Sequence, residues 1–211
     1  MRLHSVSVGK PRTVEWKGRR VKTSIFKSPV TGDVKVRRLN VKGDAQSDLS
    51  VHGGADKAVY AYAHEHYPAW EAAMPGVDFT TSSFGENLTT IGLLEHEVEI
   101  GDRFTIGSVL LETAQPRVPC YKLGIRLGRD EAVRQFVVMR LPGIYFRVIE
   151  EGTLRAGLPI EPVGRSGSGL TVRDVFDALV GQPVRDDFFE RVASASALPV
   201  PLREHLLARP R

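Results

Sequence analysis

The amino-acid sequence predicts a mainly β, α+β fold: a β-barrel-like core over residues 1–163, followed by a small three-helix unit over 170–211. Three observations predict it. Short runs of alternating apolar and polar residues, separated by glycine- and proline-containing turns, fill the first two-thirds of the chain. Composition changes at GRSGSG, residues 164–169, which reads as a small flexible linker. Beyond it, apolar residues recur at helical spacing behind helix-start signals.

KTSIFKSPV (22–30), VKVRRLNV (34–41) and KAVYAYAH (57–64) offer three short strands. In EVEIGDRFTIGSVLLET (97–113), Val98 and Ile100 alternate with Glu, Phe104 and Ile106 alternate again after Gly-Asp, and Gly-Ser leads into Val109 and Leu111. That pattern predicts a β-meander. GIYFRVIEEG (143–152) predicts a further strand. Many short strands with close turns predict closure into a sandwich or barrel, closure being the arrangement that removes sheet edges. Two helices interrupt them. One is HEHYPAWEAAM (64–74); the other is RDEAVRQFVVMRL (129–141), with Val133, Phe136, Val137 and Arg140 at helical spacing before Pro142-Gly143. In the tail, Thr171 with Asp174 resembles a capping pair, Asp186-Asp187 precedes DFFERVASA, and Pro201 suits the first turn of PLREHLLAR. A unit this small is marginal alone, so it is expected to pack on the barrel or on a second subunit, which makes a homodimer one expected arrangement.

The chain has 211 residues, enough for a sizeable core. With one cysteine no internal disulfide can form, which fits a reducing compartment. The first twenty residues hold no apolar signal region and no run approaches a membrane span, so a cytoplasmic protein with no membrane partner is the expectation. The net charge of +4 is mildly basic, with short clusters at Lys17–Arg20 and Lys35–Arg38. A solvated face accounts for them better than a nucleic-acid groove, which calls for a basic stripe with interleaved aromatics.

The only cysteine lies in AQPRVPCYKLG (114–124). A lone cysteine is commonly a small buried hydrophobe. Here Pro116 and Pro119 stiffen the chain into an extended loop, and Arg117 and Lys122 favour the thiolate, which is the nucleophile and the soft-metal ligand. A second segment, GDAQSDLSVHGGADKAV (43–59), combines His52, Gly53-Gly54 and Lys57. Paired glycines can present N–H groups to an anion and Lys57 can add a point charge; the competing reading is a glycine turn with a solvent-exposed lysine. His64-Glu65-His66 does not suit metal on a helix, because i and i+2 point to different sides. In SSFGENLTTIGL (82–93), Glu86 and Asn87 could read a heterocycle or could close a turn.

Four segments carry a resemblance when taken together: VGKPRTVEWKGRRVKTSIFKSPV, VKGDAQSDLSVHGGADKAVYAY, FGENLTTIGL and GDRFTIGSVLLETAQPRVPCYKL. In this order they resemble the MOSC domain family, named for the C-terminal domain of molybdenum-cofactor sulfurase, and within it the YiiM branch, whose barrel is followed by three helices. The resemblance implies a core that binds molybdenum cofactor, a molybdopterin whose dithiolene holds the metal together with a protein cysteine. Cys120 matches that ligand. Arg117, Lys122 and Lys57, with His52 and the Gly53-Gly54 backbone, are then candidates to cradle the phosphate and pterin, and Asn87 to touch the pterin. The implied activity is reduction of N-hydroxylated compounds, such as hydroxylamino purines or amidoximes, to amines, with His52 supplying protons. This sequence shows no pyridoxal-phosphate sulfurase domain and no iron–sulfur cysteine set, so electrons are expected from a separate flavin or iron–sulfur protein. The alternative is a Cys120 persulfide that passes sulfur to another protein or cofactor.

Overall fold

The computed structural model describes residues 1–45 and 53–209. Its strands are β1 (Arg2–Val8), β2 (Arg12–Trp16), β3 (Arg19–Thr23), β4 (Ser28–Pro29), β5 (Val34–Arg37), β6 (Asn40–Val41), β7 (Val59–Ala63), β8 (Leu88–Ile91), β9 (Arg103–Ile106), β10 (Val109–Pro116), β11 (Ile144–Glu150), β12 (Gly152–Leu154) and β13 (Glu161–Gly164). Six α-helices join them among the described residues: α1 (Tyr67–Ala73), α2 (Lys122–Leu127), α3 (Ala132–Met139), α4 (Val172–Leu179), α5 (Phe188–Ser194) and α6 (Val200–Leu207). None of these helices is long and apolar enough to cross a membrane.

Eight strands form one sheet in the order β13-β9-β10-β11-β7-β8-β1-β4. Only β7 and β8 pair in parallel, so the chain between them must cross over, and α1 lies in that crossover. The fold is α+β, and the predicted barrel does not close by strand pairing. Instead the segment before β13 reaches back to β1: Leu3 N–H donates to Leu158 O at 2.9 Å and Gly157 N–H to Leu3 O at 2.7 Å. Pro159 and Pro162 have no N–H to give, which keeps this seam from becoming a regular ladder.

The predicted meander forms in part. β9 and β10 make a hairpin, with Val109 opposite Ile106 and Leu111 opposite Phe104. The first limb is not a strand, because Val98 and Ile100 bond to the C-terminal segment: Val172 N–H donates to Val98 O and Ile100 N–H to Leu170 O, both at 2.9 Å. Nor is GRSGSG a loose tether. Asp102, fully buried, accepts from Ser166 N–H at 2.8 Å, and Glu99 accepts from Gly169 N–H at 2.9 Å.

Beyond that staple, Thr171 and Asp174 form the predicted capping box, each accepting from the other's backbone N–H at 3.0 Å. Asp187 caps nothing through its side chain and pairs with Arg191 one turn on. Val172, Val175, Phe188 and Val192 are buried in one core with Leu111, Phe146 and Val148 of the sheet, so the tail packs on the sheet. A second core is aromatic, built on Phe84, which stacks on Tyr62 with centroids 4.1 Å apart and meets Trp70 at 5.0 Å.

One ionic node ties three separate segments together. The Asp44 carboxylate, nearly buried, accepts from Gly9 N–H at 2.8 Å, from the Lys27 ammonium at 2.5 Å and from the Asn87 amide at 2.9 Å. Burial pushes the Lys27 pKa down, and Asp44 opposes that shift. Replacing Asp44 by Asn should therefore destabilise the protein by about 3–5 kcal/mol at neutral pH, because an ammonium is left buried without its counter-charge. Without Asp44 the folded state loses the Lys27 proton more readily than the unfolded chain does. Stability rises with pH wherever the unfolded chain holds more protons, so the deficit should shrink from neutral toward alkaline pH in urea titrations of both proteins.

Candidate active site

A cleft of about 680 Å³, including its solvent-open mouth, lies where the 23–27 segment, the 84–87 turn and the chain after β10 converge. Its walls include Ser24, Lys27, Asp44, Lys57, Asn87, Arg117, Cys120, Lys122 and Tyr145. A second concavity, lined by Lys57, Gln115, Pro116, Val118, Pro119, Cys120 and Tyr145, adjoins it, so Cys120, Lys57 and Tyr145 stand on both.

The double-proline loop positions Cys120 as the sequence predicts. β10 ends at Pro116, residues 117–120 run without regular structure, and the Cys120 carbonyl then accepts from Leu123 N–H at 2.9 Å as α2 begins. The sequence gives no strong sign of α2, whose six residues include Gly124. Glycine eases the packing there, since a Cβ would come to 3.0 Å from the Arg129 carbonyl oxygen. The helix sets Lys122 two residues beyond the thiol, with its side chain largely buried and lining the cleft. Lys122 makes no hydrogen bond or ion pair with any described residue. A cleft-lining ammonium that bonds no described residue suits an anion held at this wall. The Ser24 hydroxyl lines the same cleft, buried and without a partner among the described residues.

Arg117 is buried too, but its guanidinium is engaged. It donates to the Phe84 carbonyl and lies over the Tyr60 ring at 5.0 Å and the Phe136 ring at 5.8 Å. Burial alone would lower its pKa, yet the phenols of Tyr60 and Tyr145 and the Cys120 thiol raise it above its ordinary value. The cation thus acts on Cys120 through space while fixing the aromatic wall.

Lys57 is half-buried at the end of a 3-10 turn, Ala55–Lys57, and Gly54 opens that turn with φ +97°, a conformation that favours glycine. Gly53 and Gly54 deliver Lys57 to the cleft; neither is among its described lining residues. His52 lies outside the described residues. Asn87 lines the cleft, but its amide is used within the protein: Nδ2 donates to Asp44 and to Ser7 O, and Oδ1 accepts from Tyr60 N–H. Glu86, fully buried, accepts from Tyr67 O–H, from Ser82 N–H at 2.7 Å and from Thr89 O–H at 3.1 Å, which fixes the turn and leaves no carboxylate for a heterocycle. His66 bonds Glu95 at 2.7 Å, and Glu95 also accepts from Gly143 N–H at 2.6 Å. Among the described residues no cluster of three His, Cys, Asp or Glu side chains is arranged to hold a metal.

Sequence reasoning missed Tyr145. It lies on β11 opposite the core-facing Ile144 and Phe146, half-buried on both concavities, and its hydroxyl has no hydrogen-bond partner among the described residues. Burial raises its pKa against the pull of Arg117, so the phenol keeps its proton at neutral pH. The available signal was the alternation in GIYFRVIEEG, which puts Tyr145 and Arg147 on the face away from the core.

A family model described as the MOSC domain matches residues 48–161. YiiM of Escherichia coli strain K12 is 35% identical over 178 residues, covering 83% of this chain and 79% of that protein. A protein of Gibberella moniliformis strain M3125, named "Reductase", is 34% identical over 143 residues, which is 66% of this chain and 25% of that protein. The crystal structure of YiiM from Geobacillus stearothermophilus matches with a TM-score of 0.81 and 32% identity, over 98% of this chain and 99% of that one. A match over more than half of the chain, with a YiiM likeness that runs almost end to end, makes this chain a member of the MOSC domain family.

Proposed function

We propose that this chain is a molybdenum-cofactor-binding oxidoreductase that reduces N-hydroxylated compounds to amines, with electrons from a separate flavin or iron–sulfur protein. The observation that carries the reading is the position of its one thiol, on the wall of a cleft that also presents Lys57, Lys122 and Arg117. MOSC membership and the fungal relative named "Reductase" support it.

The residues present fit the cofactor. A thiolate suits a soft metal centre, and the Lys122 ammonium and the Ser24 hydroxyl at the cleft wall bond no described residue. When bound, the cofactor supplies the two-electron couple for R–NHOH + 2 e⁻ + 2 H⁺ → R–NH₂ + H₂O. Cys120 would hold the metal, while Lys122 and Lys57 would neutralise the anionic end of the ligand. Arg117 favours the thiolate of Cys120 and, through the Phe84 carbonyl, keeps the wall in place. Asn87 acts through Asp44 and the Tyr60 backbone as a positioning residue, and Gly53-Gly54 shape the turn that presents Lys57. Tyr145 donates one proton to the departing hydroxyl, and His52 is assigned the second. The reading places the protein in the cytoplasm, where its thiol stays reduced.

The test is expression in a host that makes molybdenum cofactor, followed by metal and pterin analysis. The wild type should retain both, and Cys120→Ser should lose the metal. Lys122→Gln should hold the pterin about tenfold more weakly, as expected when a hydrogen bond to a charged group is removed. Tyr145→Phe should keep its metal while kcat for a hydroxylamino purine, driven by reduced viologen, falls about 100-fold, the scale of general-acid catalysis. A metal-free wild type carrying a persulfide on Cys120 would sink the reductase reading and favour sulfur transfer.

A further inference from the structure

The β2–β3 hairpin stands apart from the large sheet. Its two strands pair with each other, from Arg12 opposite Thr23 to Trp16 opposite Arg19, and with no other described strand. Lys17 and Gly18 turn the corner with φ of 50° and 71°. Between Lys10 and Lys22 the sequence places six cations, Lys10, Arg12, Lys17, Arg19, Arg20 and Lys22, against one carboxylate, Glu15. The whole chain carries only +4, so this segment of thirteen residues holds a surplus that the remainder does not share.

All six cations are exposed, and only Lys17 has an ion-pair partner among the described residues, Asp130 at 2.7 Å. The other basic cluster noted in the sequence differs in this respect, because Glu151 accepts from both the Arg37 side chain and the Arg38 backbone. The hairpin is also anchored beside the cleft. Thr23 ends β3 and lines the cleft, and Ser24, Ile25 and Lys27 continue the same wall. The Arg12 guanidinium lies 3.5 Å over the Phe26 ring and the Arg126 guanidinium of α2 lies 5.7 Å from it, while the Lys17–Asp130 pair ties the tip to the turn after α2.

We infer that the exposed cations of this hairpin form the docking surface for an acidic electron-transfer protein, which delivers electrons to the cleft. The inference rests on the reductase reading for its purpose and on the hairpin's charge for its partner. Complementary charge raises the encounter rate and sets orientation, and a surface whose cations, Lys17 apart, have no carboxylate partner among the described residues is open to those of another protein. A nucleic acid fits less well, since Trp16 is the hairpin's one aromatic. An acidic protein seated on the hairpin rests on the element whose exit strand becomes the cleft wall.

The experiment compares the wild-type holoprotein with Arg19→Glu/Arg20→Glu/Lys22→Glu, with the same three positions changed to Gln, and with Arg203→Glu on α6 as a control. Oxidised flavodoxin and plant-type ferredoxin, two acidic electron carriers, are titrated by calorimetry at about 20 mM and about 300 mM salt, where screening differs strongly. For at least one carrier the glutamate variant should lose about tenfold or more in affinity at low salt, the glutamine variant should lose less, and the control should be unchanged. Added salt should weaken the wild type and leave the glutamate variant almost unaffected. Substrate-dependent oxidation of reduced viologen, which needs no docking, should not be slowed in any of the variants. The inference is overturned if the wild type binds neither carrier, if charge reversal leaves binding intact, or if an oligonucleotide binds the hairpin more tightly than both. Absence of viologen turnover in the wild type would remove the reductase reading, while the titrations judge the surface on their own.

Discussion

The Asp44 carboxylate draws together the Gly9 backbone, the Lys27 ammonium and the Asn87 amide, groups that come from three stretches far apart in sequence. Each is needed for a different part of the cleft. Gly9 follows β1, Lys27 lies on the segment leaving the β2–β3 hairpin, and Asn87 opens β8 while receiving the Tyr60 N–H from β7. A carboxylate and an ammonium so nearly buried are tolerated only when paired and hydrogen-bonded, so the node has one well-satisfied arrangement. The cleft wall inherits that definition. Gly85 shows how tight it is: its φ is +73°, and a Cβ there would approach Ile25 Cγ1 to 2.8 Å.

A second network serves the other wall. Arg147, on the same face of β11 as Tyr145, bonds Asp56 beside Lys57, Glu112 of β10 and the Ala197 carbonyl of the C-terminal unit. The turn that presents Lys57 is thus braced against the sheet and the tail at once. The tail therefore belongs to the architecture of the site even though none of its residues lines the cleft.

Much of this was legible in the sequence where local chemistry decides. The strand cores around Val59–Ala63, Phe104–Ile106 and Ile144–Glu150, the Thr171–Asp174 capping box and the stiff double-proline approach to Cys120 follow from a short apolar run, alternation, hydroxyl capping and fixed proline φ. What local pattern cannot encode is the partner. Val98 and Ile100 have the alternation of a strand, but the groups that satisfy their backbone lie beyond residue 169. The serine- and glycine-rich 164–169 stretch looks like a tether until Glu99 and Asp102 are seen to hold it. Glu86 and Asn87 look available for a ligand, whereas folding consumes them as buried acceptors and donors.

The sequence by itself determined the family, the single thiol and the cations around it in sequence, because these depend on residue identity and short-range order. Only the tertiary structure decided which charges remain without partners. Arg117 is engaged by a carbonyl and two rings, Lys27 by Asp44, and Lys122 by no described residue, although all three are simply basic residues in the sequence. The same holds for Tyr145, which becomes a candidate only when β10, β11 and the loop to α2 bring its hydroxyl, which bonds no described residue, onto the same concavity as Cys120. The reason is physical: desolvation and pairing are set by what surrounds a group in three dimensions, and that surrounding is assembled from segments scattered across the whole chain.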